Sequence, residues 1–61
     1  MWISILNYAA GQIEVADIED MEATAWLKAN NFKDSEVSYM VTEEEPDIYD
    51  HNTQNYIDMP L

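Results

Sequence analysis

A small α+β domain of strand–strand–helix–strand order is what this sequence predicts, on three observations. Two runs rich in aromatic and branched residues flank the chain's single glycine, as in a β-hairpin. A stretch carrying both a helix start and a helix stop follows at residues 17–31. A third alternating run then appears at residues 36–42, which places the helix between strands and across a sheet.

The first run, "WISILNY", spans Trp2 to Tyr8, and the second, "IEVADI", alternates Ile13 and Val15 with Glu14 and Ala16. Gly11 lies between them, where a hairpin turn needs a residue at positive φ. The hairpin is expected over about residues 2–17. Its register stays open, because Ala10-Gly11 fits either a two-residue turn or part of a longer, bulged one.

The helix is expected over 19–29. Asp17 suits the N-cap, and Glu19, Asp20 and Glu22 suit the positive end of the helix dipole. Ala23, Ala25, Leu27, Lys28 and Ala29 are good helix formers. Asn30 or Asn31 takes the left-handed C′ position, and Phe32 folds back toward Leu27. Ala23, Trp26 and Leu27 make one apolar face, while Met21, Ala25 and Ala29 lie nearly opposite, so the helix is expected to touch its own sheet and a second chain. In the third strand, "EVSYMVT", Val37, Tyr39 and Val41 share a face and Ser38 and Met40 share the other.

Residues 1–42 thus form a ββαβ core, and 43–61 an acidic, mostly irregular segment. Pro46 ends the strand pattern. It also suits the start of a short helix, and "IYD" and "NYID" are able to pair as strands; Tyr56 and Ile57 are expected to dock the segment.

A chain of 61 residues is one domain and buries only roughly 60% of its unfolded surface. It needs a staple. Cysteine is absent, which excludes disulfides and cysteine-rich zinc sites and leaves the two tryptophans and association with another chain. Thirteen acids against two lysines give a formal charge of −11. That charge argues against direct contact with nucleic acid and against anionic membrane surfaces, and it favours a basic protein as partner. No apolar run approaches a membrane span, and "MWISILNY" has neither a basic n-region nor a cleavage site, so a cytoplasmic protein is expected.

Catalysis requires a base held against a nucleophile, and the only histidine, His51, sits in a polar stretch beside Asp50 and Asn52. The sequence predicts no enzyme and no cofactor. "DHNTQN" alternates oxygen ligands at Asp50, Asn52 and Gln54 as a calcium loop does, but Asn55 stands where that loop needs glycine and Leu61 where it needs glutamate. No metal site is expected. "YIDM" at Tyr56–Met59 has the Tyr-x-x-Met spacing of phosphotyrosine ligands, and packing onto the core is the simpler role for both residues. Trp2 and Trp26 are expected in the core.

Acid is not evenly spread. Residues 1–16 hold one acid, whereas 17–36 and 37–61 hold six each. Such blocks are commonly solvated ends. Here they also suit one continuous negative face of Asp17, Glu19, Asp20 and Glu22 with Asp34, Glu36 and the acids of 43–50, led by Asp20, Glu22, Glu43, Glu44, Glu45, Asp47 and Asp50. Fixed carboxylates on a folded scaffold imitate rows of DNA phosphates and speed encounter with a basic groove. In size, acidity and element order the chain resembles the small phage and mobile-element inhibitors that act as DNA mimics on restriction or CRISPR systems, an analogy carried by no shared motif. The expected function is a non-enzymatic acidic protein-binding module, with inhibition of a basic nucleic-acid-binding protein as its sharpest form. The alternative is a small homo-oligomeric structural or accessory protein, a homodimer formed through the second helix side and an exposed strand edge.

Overall fold

Alternating apolar residues in three separate runs build one three-stranded antiparallel sheet, with a helix packed on one side of it. The computed structural model describes residues 1–57; Met59 and Leu61, the last apolar residues of the tail, lie outside the described residues. The elements are β1 Trp2–Asn7, β2 Gln12–Asp17, α1 Ala23–Ala29, β3 Val37–Thr42, β4 Ile48–Asp50 and β5 Asn55–Ile57. The expected ββαβ order is present, and the sheet runs β2-β1-β3.

β1 is central and antiparallel to both neighbours, with Ile3 opposite Ala16 and Val41, and Ile5 opposite Glu14 and Tyr39. Residues directly opposite one another share a face. The helix-side face therefore carries Ile3, Ile5, Ala16 and Val37, and the core forms there with Ile18 and Leu27. Ile3 and Ile5 are fully buried, each stabilising by about 1.5–3 kcal/mol. Ala23, Trp26 and Phe32 pack around this cluster.

The hairpin loop is the longer of the two options. Asn7 pairs with Gln12, leaving Tyr8–Gly11 as four loop residues with Gly11 at φ 65°. The Asn7 side chain organises it: the Ala10 N–H donates to Oδ1 at 3.0 Å, and Nδ2 donates to Glu14 Oε2 at 3.1 Å.

α1 ends as expected and starts late. Asn31 is left-handed at φ 64°, the Phe32 N–H donates to Leu27 O at 3.0 Å and the Asn31 N–H to Lys28 O at 3.2 Å, which is the Schellman pattern. Phe32 then stacks on Trp26, ring centroids 5.9 Å apart. At the other end the expected start at 19 and the Asp17 cap are both corrected. Asp17 Oδ1 accepts the Glu19 N–H at 2.9 Å, Glu19 stands at φ 54°, and the N-cap is Glu22. The chain turns directly after the buried Ile18, with the Met21 N–H donating to Ile18 O and Glu19 in the left-handed region, so right-handed helix does not begin there. No acid remains in the first helical turn.

Two further expectations change. Trp26 packs beside the core, but Trp2 shares its face with Ser4 and Leu6, on the side of the sheet away from the helix. Within 43–57 the chain forms a second antiparallel sheet, β4 with β5, pairing Tyr49 with Tyr56. Tyr56 and Ile57 are exposed there and do not dock on the core.

Candidate functional site

The topology gathers the acids, and it does so through the two edge strands. β2 and β3 both run antiparallel to β1, so they are parallel to one another and finish at the same end of the sheet. Trp2 pairs with Asp17, the last residue of β2, and with Thr42, the last residue of β3. The two strand ends are thus about 10 Å apart, two strand spacings. Asp17, Glu19, Asp20 and Glu22 leave the sheet from one of them, and Glu43, Glu44 and Glu45 from the other.

Each of these side chains is exposed. The turn at Ile18–Met21 holds Glu19 and Asp20, and Glu22 caps the helix with its backbone only. After β3, the Thr42 hydroxyl donates to Glu44 O at 2.7 Å, which bends the chain at the glutamates. Pro46 follows, half-buried, and Asp47 leads into β4. Asp50 closes β4 and is half-buried; its Oδ1 accepts the Asn52 N–H at 2.9 Å, so one of its oxygens serves the second hairpin's loop. Of the seven expected site residues, Asp20, Glu22 and Glu43–Glu45 therefore leave one end of the sheet together, Asp47 follows within the same connection, and Asp50 belongs to the second hairpin.

The lysines go the other way. α1 runs back from the acid end, Lys28 lies in its last turn, and Lys33 lies in the connection that feeds the far end of β3. The molecule is thus charge-polarised along the strands. Asp17 and Glu19, expected in the face though not among its leading seven, belong to the acid end as well, whereas Asp34 and Glu36, also expected in it, share the Lys33 connection toward the far end, because β3 starts opposite Asn7.

The remaining motifs resolve into local structure. His51 is the first residue of the four-residue β4–β5 loop and packs edge-on against Tyr49, centroids 4.9 Å apart. Asn52 and Gln54 share that loop, with Gln54 at φ 55°. Among the described residues no three His, Asp or Glu side chains come together as metal ligands. Asp58 and Met59 of "YIDM" lie outside the described residues.

The helix side expected to meet a second chain is smaller than its sequence suggested. Met21 precedes the helix, so only Ala25 and Ala29 remain on that side, both exposed. Compared with protein-family models, with curated proteins and with solved structures, the chain matches none. No helix among the described residues is long and apolar enough to cross a membrane.

Proposed function

We propose that this chain is a non-enzymatic binding module that sets its acid end against a basic protein. One observation carries the proposal: two parallel edge strands deliver separate acidic runs to the same end of a rigid sheet, while both lysines lie toward the other end. The strand ends fix the backbone positions from which these exposed carboxylates project, which limits the backbone entropy lost when they meet a cationic groove. A groove that ordinarily holds nucleic acid is the natural complement, because rows of Lys and Arg shaped for phosphates accept carboxylates as well. In that form the module competes with DNA for a nucleic-acid-binding protein.

The test is capture of proteins from bacterial lysate on the tagged chain, repeated with excess duplex DNA. The expected result is enrichment of a basic DNA-binding protein that DNA displaces. Its affinity should fall steeply as salt rises, and the triple substitution E43K/E44K/E45K should abolish it. Capture unaffected by DNA, salt and charge reversal would remove the acid end from consideration.

A further inference from the structure

We propose that two copies of this chain pack face to face through the side of the three-stranded sheet that the helix leaves open. β1, β2 and β3 place nine residues on that side, and Asp17, at its end, is the only charged one. In a chain with thirteen acids this is a strong segregation. What the face shows instead is apolar: Leu6 is 47% exposed, Ile13 57% and Met40 56%, with Trp2 and Val15 half-buried among them. Ser4 lies in the middle, its hydroxyl buried by its neighbours and without a hydrogen-bond partner. Depletion of charge around apolar side chains is what distinguishes the centre of an interface from ordinary surface.

The amount of surface points the same way. The chain exposes 4880 Å². A folded monomer of 7.1 kDa is expected to expose about 4,100 Å², so the chain carries more surface than its size requires. The second hairpin, which buries no side chain, contributes to that excess, and so does the open face, which is contiguous and nearly uncharged.

A second copy fits this face better than a basic partner does. A basic protein is drawn to the acid end, and nothing on the open face would recruit its charge. The face is also able to match itself. Leu6 borders two shallow hollows, one of about 360 Å³ that wraps the hairpin end toward Tyr8, Gly11 and Ile13 and one of about 210 Å³ over Ser4 and Met40. A two-fold axis lying in the interface and across the strands brings Leu6 of each copy toward the hollows of the other. It also sends the two acid ends in opposite directions, which limits repulsion between chains of charge −11 each. The strands of the two sheets then run nearly aligned, as in a β-sandwich.

The deciding experiment is sedimentation equilibrium on the full chain over a range of concentration and salt. The expected result is a dimer whose fraction grows with both, because salt screens the repulsion between copies. L6K, and independently M40K, should raise the dimer dissociation constant at least about thirtyfold, the effect of losing a hot-spot side chain. Both substitutions lower the net negative charge, so weaker association cannot come from added repulsion. The circular dichroism of the variants should match that of the dilute wild-type chain. If either variant fails to fold, isotope-filtered NMR on mixed labelled and unlabelled wild-type chains should show contacts between Leu6 or Met40 and the opposite copy. A chain that stays monomeric throughout, a dimer indifferent to both substitutions, or filtered spectra without contacts from this face would overturn the proposal. A monomer that instead binds neutral phospholipid vesicles through this face would do the same. Salt separates this interface from the acid end, since binding of a basic protein weakens where self-association strengthens.

Discussion

The hairpin at Trp2–Asp17 and the one at Ile48–Ile57 close in the same way. Each has a four-residue loop whose last residue is left-handed, Gly11 at φ 65° and Gln54 at φ 55°. In each, the last residue of the first strand accepts a loop N–H on its side-chain oxygen, Asn7 from Ala10 and Asp50 from Asn52. Their surroundings differ. The first hairpin has six cross-strand pairs, a third strand against β1 and a helix over one face, and it holds two fully buried isoleucines. The second has three pairs and no buried side chain, and Tyr49 packs edge-on to Tyr56 across it at 5.2 Å. Turn chemistry decides where a chain reverses; an apolar cover decides how firmly the reversal is held, because a lone two-stranded ribbon is marginal in water.

The largest expected effect breaks the first hairpin and spares the second. Ile5→Ala removes a fully buried side chain and should cost about 2–5 kcal/mol, most of the roughly 3–9 kcal/mol that a chain of this length has. Ile48→Ala, at a half-buried site, should cost less than about 1 kcal/mol. Urea denaturation of both variants checks this, and equal losses would mean that the second hairpin shares the core's stability. Next in size is Gly11→Ala. An added Cβ meets nothing within 4 Å, so the whole loss, about 1–2 kcal/mol, comes from the left-handed backbone; Gly11→Asn should lose less, and the same denaturation series measures it. The smallest effect sharpens the contrast. Gln54→Gly relieves a left-handed glutamine in a hairpin that contributes nothing to the core, so global stability should move by less than about 0.5 kcal/mol. Amide exchange within β4 and β5 should slow while exchange in β1 is unchanged.

Much of the first hairpin, the third strand and the helix stop was legible in the residues. Alternation marks the strands, and Asn30-Asn31-Phe32 marks a Schellman end by local chemistry alone. The helix start was not legible, because Asp17 through Glu22 reads as an ideal capping segment until Ile18 is known to be buried. β4 and β5 have three residues each, too few for alternation to register, and their loop closes on Gln54 without a glycine to announce it. The candidate acids were legible as residues and not as a group. Their convergence depends on β3 returning to the far side of β1 from β2, a pairing of residues some 40 apart in the chain.

The open face shows the same division. Apolar residues occupy both phases of β1, with Trp2 and Leu6 on one and Ile3 and Ile5 on the other, which already signals a sheet with two apolar sides. Ile13 and Val15 are plainly alike in the sequence, yet pairing sets Glu14 and Ala16 toward the helix and turns Ile13 and Val15 away from it. By itself the sequence determined the charge of −11, the places where the three long strands run and the place where the helix stops, since charge and local propensity act within a few residues. Only the tertiary structure decided which side of each strand is core and which end of the sheet is acidic. A strand repeats every two residues, so a shift of one in its pairing exchanges its faces, and that pairing is set by contacts between residues far apart in the chain.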